Sequence, residues 1–311
     1  MRKVLIILAA LATLMVLPLI SGCGRQQSGG TSGGDSPVTL RDNVNRTVVI
    51  KKFPERIVSL APSNTEIVFA LGLEGKLVGV TTYCNFPPEA EKKPKIGGFA
   101  DPSLEKILAQ QPDLVLASDQ QGEIVSALEN HGIPVLVIAP ETVEDIIKNV
   151  QLVGRATGAT RAAGRLAADL EKRIDAVTSK TCSLPESKKP KVFYELWYEP
   201  LMTAGPGTFI DDLITLAGGI NIASDARKKY PEYSLEAVLA KNPDVLINSY
   251  GHGEGTPTRE QVKARKGWQN LNCIKNDRIY TVHADLVNRP GPRIVAGLEA
   301  FARAIHPELF R

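Results

Sequence analysis

The chain has 311 residues, of which 43% are hydrophobic and 23% charged, with 37 Lys and Arg against 34 Asp and Glu. This length suits two ordinary domains, and the composition excludes wholesale disorder, collagen and a multi-span membrane protein. The net charge of +3 is spread along the chain, without the basic stripe that nucleic-acid binding requires. We expect two domains that fold in water and have no nucleic-acid partner.

Residues 1–22 have the composition of an export signal. A cationic start precedes an apolar run from Val4 to Ile20, and small residues lead to Cys23. This end resembles the bacterial lipoprotein signal, in which the peptide is cut before a Cys that carries the lipid; a plain secretory signal with an incidental Cys is the alternative. Residues 23–37 are mostly Gly, Ser and Gln, which predicts a flexible tether after the lipidated Cys23.

Alternating strands and helices are predicted after the tether. The segment 38–51 has the pattern of a hairpin around Asp42 and Asn43. Residues 56–60 predict a strand that leads into a helix over 65–71, and residues 77–81 predict the next strand. This alternation is typical of an α/β sheet, whose ligands bind at the carboxyl ends of the strands.

An internal repeat is the most informative feature of the chain. Residues 103–118 (SLEKILAQQPDLVLAS) and 234–249 (SLEAVLAKNPDVLINS) are identical at eight of 16 positions. In each copy a Ser caps a helix, a Pro ends it, and a short apolar run forms a buried strand. The repeat predicts two related lobes.

The region between the repeats predicts how the lobes are joined. Residues 134–138 favour a strand, 142–180 are rich in helix formers with a break at Thr157-Gly158, and 192–196 begin the second half. A helix over 159–180 would be about 33 Å long. We expect two Rossmann-like lobes with parallel central sheets and a ligand cleft between them. The predicted boundaries are an N-terminal lobe (38–157), a single long linking helix (158–181) and a C-terminal lobe (182–311).

Three segments resemble one known family: RIVSLAPSNTE (56–66), VGVTTYCNFPPEA (78–90) and RPGPRI (289–294). With the lipoprotein start and the linking helix, they are similar to the helical-backbone (class III) substrate-binding proteins of ABC importers for iron complexes, haem and vitamin B12. The segments look most like the cobalamin-binding members, although members with other cargo share much of this pattern.

The resemblance implies a cleft lined by the loops that follow the strands. Its ligand-binding positions are Tyr83, Phe99, Trp197, Tyr198, Tyr230, Asp285, Asn288 and Arg289. Flat aromatics suit the apolar flanks of a corrin ring, and hydrogen-bonding side chains suit its amide rim. Ser118 departs from the pattern, since it stands where an aromatic can occur. The alternative is that these aromatics pack in the cores of two lobes.

Glu105 and Glu236 occupy equivalent positions in the two repeats. In the family one carboxylate at the top of each lobe meets Arg residues of the permease, and the duplication would place the pair symmetrically for a dimeric partner. The alternative is that both acids only favour the first turn of their helices.

The cysteines and histidines are the candidates for disulfide bridges and metal ligands. Cys182 and Cys273 both precede strands of the second half, so a disulfide between them is possible. Cys84 is expected to be a buried thiol rather than a cobalt ligand. The four histidines have no metal-ligand spacing, so no metal site is expected. Tyr250 or His252 would be the ligand if haem were the cargo.

The sequence favours a binding protein over an enzyme or an adhesive surface protein. The GxG at 205–207 lacks the third glycine of a dinucleotide site, and the acids at 211–212 suit a helix start. We expect a lipid-anchored, extracytoplasmic monomer that captures cobalamin or a related corrinoid and delivers it to an ABC permease dimer with its ATPase. The corrinoid is cargo, and no cofactor is expected. Haem or a ferric siderophore is the alternative, with Arg227, Arg289 and Arg293 available to an anionic siderophore.

Overall fold

The computed structural model describes residues 37–250 and 255–310. The strands in this part of the chain are short and mostly buried. They are β1 (Val38–Arg41), β2 (Thr47–Ile50), β3 (Ile57–Ser59), β4 (Leu77–Val80), β5 (Leu114–Ala117), β6 (Val135–Val137), β7 (Lys191–Glu195), β8 (Ile220–Asn221), β9 (Val245–Asn248) and β10 (Ile279–Thr281).

The helices alternate with these strands, apart from two successive long ones in the middle of the chain. They are α1 (Pro62–Ala70), α2 (Leu104–Ala109), α3 (Gly122–Asn130), α4 (Val143–Thr157), α5 (Thr160–Thr181), α6 (Phe209–Leu216), α7 (Leu235–Lys241), α8 (Arg259–Lys263), α9 (Asn272–Lys275), α10 (Ala284–Val287) and α11 (Ile294–Ile305).

Each half of the chain forms a four-stranded parallel sheet. The first has the order β4-β3-β5-β6 and the second the order β10-β9-β7-β8. The strands β1 and β2 pair antiparallel as the predicted hairpin. Parallel strands covered by helices are the architecture that the sequence predicted, so the expected class of two α/β lobes is confirmed.

The helix ends follow from local sequence, with one difference from the prediction. Helix α1 begins at Pro62 rather than at residue 65, because proline is favourable in a first turn, where its missing N–H has no partner to lose. Thr142 and Asp145 form a capping box at the start of α4. That helix ends at Gly158, whose φ of 76° lies in the left-handed region that glycine tolerates.

The 22-residue helix α5 follows at once and connects the two halves of the chain. The domain limits drawn from the sequence stay a prediction.

The core is continuous from one lobe to the other. Val192 and Tyr194 of β7 point into a central cluster that also contains residues of the first sheet and of α4, α5, α6 and α11. Phe193, on the opposite face of the same strand, belongs to a separate cluster with Trp268 and Cys273. The first sheet has its own outer cluster on its other face. Both lobes therefore pack on one shared layer of helices.

Candidate functional site

A cavity of about 860 Å³ lies where the carboxyl ends of both sheets meet. In the first lobe its walls are the turn between β1 and β2 and the loops that follow β3 to β6. In the second lobe they are the loops after β7 and β8, the start of α6 and the segment after α10. This is the position at which parallel α/β sheets bind ligands. Six of the eight predicted ligand-binding residues line it: Tyr83, Phe99, Trp197, Tyr230, Asn288 and Arg289.

Three of these residues are large aromatics that remain open to solvent. Tyr83 is 46% exposed, Trp197 43% and Tyr230 40%. Trp197 is held in place, because its Nε1 donates to the carbonyl of Glu199 at 2.9 Å and its ring lies 5.1 Å from that of Tyr250. Exposed aromatics that converge on one cavity form an apolar surface open to solvent, which is typical of a binding site. They come from both lobes.

Two of the predicted polar residues of the cavity, Asn288 and Arg289, are already engaged with the protein. The Asn288 Oδ1 accepts from the Tyr194 hydroxyl at 2.6 Å, and its Nδ2 donates to the carbonyl of Ser249 at 3.2 Å. Arg289 donates from Nη1 to Asn85 Oδ1 at 2.6 Å and from Nη2 to the Tyr83 carbonyl at 3.2 Å. Arg289 therefore holds the loop that carries Tyr83.

The structure does not bring Tyr198 or Asp285 into the cavity lining. Tyr198 follows Trp197 and points to the other side of the chain, where the Arg265 guanidinium lies 3.8 Å from its ring centroid and Trp268 meets it edge-on. The chain turns at Tyr198, so the side chains of this adjacent pair face different sides and do not share one cavity. Asp285 is buried and pairs with Arg289 at 2.9 Å. Its place behind the cavity wall suits support rather than ligand contact.

A buried ion cluster joins the lobes beside the cavity. Glu66 of α1 accepts two hydrogen bonds from Arg293, at 2.6 and 2.9 Å, and lies 3.8 Å from Arg289. Asn85 donates to Asp285 at 3.1 Å. Glu66 and Asn85 belong to the first lobe and the others to the second, so this cluster, here called the interlobe cluster, ties the loop of Tyr83 to the segment after α10.

Burial decides the electrostatics of the interlobe cluster. It raises the pKa of Glu66 against the opposing effect of the Arg293 hydrogen bonds, and it lowers the pKa of Arg289 against the attraction of Asp285 and Glu66. Glu66 and Asn85 were not among the predicted site residues, although both lie in segments that carry the family resemblance. Arg293 is a candidate only for the alternative siderophore cargo, and its guanidinium is committed to Glu66.

A second buried cluster lies under Trp197. Arg265 donates from Nη2 to Glu195 Oε1 at 2.9 Å, and the Tyr250 hydroxyl also bonds that carboxylate. Tyr250 is only 4% exposed, and burial raises the pKa of its phenol. Tyr250 is therefore a structural support of Trp197, and the expectation that it could ligate haem iron is corrected. His252 lies outside the described residues.

Glu105 and Glu236 occupy matching places in the two lobes. Each is the second residue of its helix, and both are exposed. Ser103 caps α2 by accepting from the Lys106 N–H at 3.3 Å, and Ser234 caps α7 by accepting from the Ala237 N–H at 3.1 Å. The two carboxylates are thus presented to solvent near the cavity ends of the sheets; permease docking stays a prediction.

The possible bridge between Cys182 and Cys273, which the sequence left open, is not formed, and both thiols are free. Cys182 is exposed at the end of α5, which packs on one face of the second sheet. Cys273 is buried under the opposite face, where burial raises its pKa to about 12. The sheet separates the two sulfurs. Cys84 is also buried, with its Sγ 3.2 Å from the Thr65 hydroxyl.

Two further features concern only the described residues. No helix in residues 37–250 or 255–310 is long and apolar enough to cross a membrane. Within the same ranges no three His, Cys, Asp or Glu residues come together in a way that could hold a metal ion. Cys23, the predicted lipidation site, lies outside this part of the chain.

Comparisons with known proteins agree on one family. Residues 57–286 match the model described as periplasmic binding protein. An uncharacterized ABC transporter substrate-binding lipoprotein, YvrC of Bacillus subtilis, is 33% identical over 311 residues, covering 96% of this chain and 97% of its own. A vitamin B12-binding protein of Vibrio cholerae is 30% identical over 261 residues, covering 82% of this chain and 91% of its own.

A solved structure extends the comparison. The periplasmic heme-binding protein RhuT from Roseiflexus sp. RS-1 superposes with a TM-score of 0.72 and 29% identity, covering 82% of this chain and 99% of the other. These matches confirm the predicted class and the prediction that the chain is a binding protein rather than an enzyme. The chain belongs to the periplasmic binding protein family and is an extracytoplasmic substrate-binding component of an ABC importer, of the group that handles cobalamin and iron complexes.

Proposed function

We propose that this protein binds cobalamin or a related corrinoid in the interlobe cavity and delivers it unchanged to a membrane permease. The observation that carries the proposal is the set of exposed aromatics, Tyr83, Trp197 and Tyr230, facing a cavity of about 860 Å³ from both lobes. That volume is near the upper end for small-molecule sites and suits a large flat cargo. The relatives named for vitamin B12 support the choice.

The structure offers less to the alternative cargoes. Of the three arginines considered for a siderophore, Arg289 and Arg293 are paired with carboxylates. Arg227 is exposed and lies outside the lining. Since Tyr250 is buried against Glu195, it is not available to haem iron. The heme-binding neighbour shares the fold, so the test measures the binding of each candidate ligand.

The test is calorimetry of the full-length protein in detergent with cyanocobalamin, dicyanocobinamide, haemin and a ferric hydroxamate. We expect saturable one-to-one binding of the corrinoids, without chemical change, to a monomer. Trp197→Ala should weaken corrinoid binding, while Glu171→Gln, an exposed residue of α5 far from the cavity, should not. Saturable binding of haemin or the hydroxamate without corrinoid binding would contradict the proposal.

Delivery is proposed to depend on Glu105 and Glu236. Both are exposed and related by the internal repeat, as a dimeric permease would require. In a cell-based uptake assay, E105K/E236K should abolish corrinoid uptake while calorimetric affinity stays unchanged. The matched control is E171K/E186K, which reverses two exposed carboxylates away from the cavity. Normal uptake by E105K/E236K would refute the docking role.

The lipid anchor is the last part of the proposal. The relative from Bacillus subtilis is named a lipoprotein, and the small residues before Cys23 match a lipoprotein signal. Radiolabelled palmitate should enter the wild-type chain and should not enter Cys23→Ala, whereas Cys182→Ala should label normally. Equal labelling of Cys23→Ala would contradict this assignment.

A further inference from the structure

The cavity lining carries an asymmetric set of charges. The first lobe contributes Asp101, Asp119 and Glu141, and the second contributes Lys229 and Arg289. Both cations are neutralised within the described structure, since Lys229 forms an ion pair with Glu141 and Arg289 pairs with Asp285. Two carboxylates, Asp101 and Asp119, are left without an ion-pair partner among the described residues.

The positions of these two carboxylates are set by the fold. Asp101 lies against Gly98, where a Cβ would approach its Oδ1 to 2.1 Å, so a glycine is needed for the side chain to fold back there. Asp119 begins the short helix that ends at Gln121. The buried Gln121 amide donates to the Phe99 carbonyl at 2.7 Å and to the Leu60 carbonyl at 2.8 Å. Both carboxylates therefore lie on one wall of the cavity, whose segments are connected by the hydrogen bonds of Gln121.

The opposite wall supplies a hydrogen-bond donor. Burial and the charge of Asp119 raise the pKa of Tyr230 to about 12, so its hydroxyl stays protonated. Arg227 and Lys228 precede Lys229 on the same loop, but they are exposed and do not line the cavity. Ser63 of α1 lines the floor and is mostly buried. A cargo group that lies close to Asp101 and Asp119 therefore faces negatively charged hydrogen-bond acceptors.

On the basis of the proposed function, we propose that Asp101 and Asp119 select the cargo by the chemistry of its rim. The two carboxylates accept hydrogen bonds from the N–H groups of rim amides, as a corrinoid with intact amides presents them. A carboxylate at the same place on the cargo has no N–H to donate and is repelled by like charge. The wall thus rejects carboxylate-rimmed macrocycles, such as haem, by repulsion as well as by poorer contacts.

The test compares corrinoids that differ at the rim alone: cyanocobalamin and each of its monocarboxylates, in which one propionamide is hydrolysed. Calorimetry uses the full-length protein, its D101N/D119N variant and the control E171Q, with each monocarboxylate isomer measured separately. For at least one isomer, the wild type and E171Q should bind the amide about tenfold tighter than the acid. In D101N/D119N that ratio should fall to within about twofold, because neutral amides can donate to the acid.

The outcomes separate this inference from the proposed function. Corrinoid binding with the same amide-to-acid ratio in D101N/D119N as in wild type overturns the selection by these carboxylates and leaves the function standing. No binding of cyanocobalamin by the wild type removes the function itself. Circular dichroism checks that the variants fold. If the double variant does not fold, the amide-to-acid ratio is measured in the single variants D101N and D119N, each of which should lower it partially.

Discussion

Two ion pairs between the lobes differ in how far their side chains are buried. The interlobe cluster holds Glu66, with 2% of its side chain exposed, against Arg293, with 21% exposed. Across the cavity from it, Glu141 and Lys229 form an ion pair whose side chains are 58% and 51% exposed. The first pair is surrounded by further hydrogen bonds from Asn85 and Arg289, whereas the second stands in solvent.

The degree of burial decides which bridge sets the geometry of the cavity. Buried ions need every partner, because losing one leaves an uncompensated charge in a low-dielectric site. Exposed ions are already solvated and screened, so their pairing contributes little. We infer that the interlobe cluster fixes the distance between Tyr83 and the second lobe. The pair Glu141–Lys229 adds only a weak contact at the rim.

The largest effect is expected from removing Glu66. Glu66→Ala leaves Arg293 and Arg289 without their shared carboxylate, and should lower the free energy of unfolding by about 3–5 kcal/mol in urea titrations. Glu66→Gln should cost less, since burial already raises the pKa of Glu66 and a neutral amide keeps its size. Glu171→Ala, on the exposed face of α5, is the matched control and should cost little. Equal losses from E66A and E171A would overturn the distinction between the two bridges.

A smaller effect is expected at Asn85, the neutral member of the interlobe cluster. Asn85→Ala removes the acceptor of Arg289 and a donor to Asp285, and should cost about 1–3 kcal/mol of unfolding free energy. Corrinoid affinity should fall as well, because the loop of Tyr83 loses part of its anchorage. Calorimetry of N85A and of N272A, whose side chain bonds within the second lobe and does not line the cavity, gives the comparison. Unchanged affinity in N85A would separate the cluster from ligand binding.

The fold could be predicted from the sequence because the signals that specify it are local or occur in both halves of the chain. The Ser caps at 103 and 234, the prolines that end those helices and the buried runs after them recur in both halves, which predicted two lobes. The break at Gly158 was readable because glycine permits the left-handed φ that ends α4. Even the start of α1 at Pro62 follows from a first-turn preference that the prediction did not use.

The site was only partly predictable, because its supports connect distant residues. Glu66 and Arg293 are separated by 227 positions, and no local period links them. Tyr198 was placed in the cavity with its neighbour Trp197, but the path of the loop after β7 turns it toward Arg265. The free thiols of Cys182 and Cys273 likewise depend on which face of the sheet each element covers. Orientation and long-range pairing are properties of tertiary structure that residue spacing does not encode.

The smallest effect is expected at the exposed bridge. Lys229→Ala should change the free energy of unfolding by about 0.2–1 kcal/mol at low ionic strength, because the side chains of Lys229 and Glu141 are solvated without each other. High salt should erase even this difference, since screening acts on exposed charges far more than on buried ones. Urea titrations of K229A and E66A at low and high salt make the comparison directly: the E66A loss should persist. A K229A loss as large and as salt-resistant as that of E66A would mean that the rim pair, too, holds the lobes together.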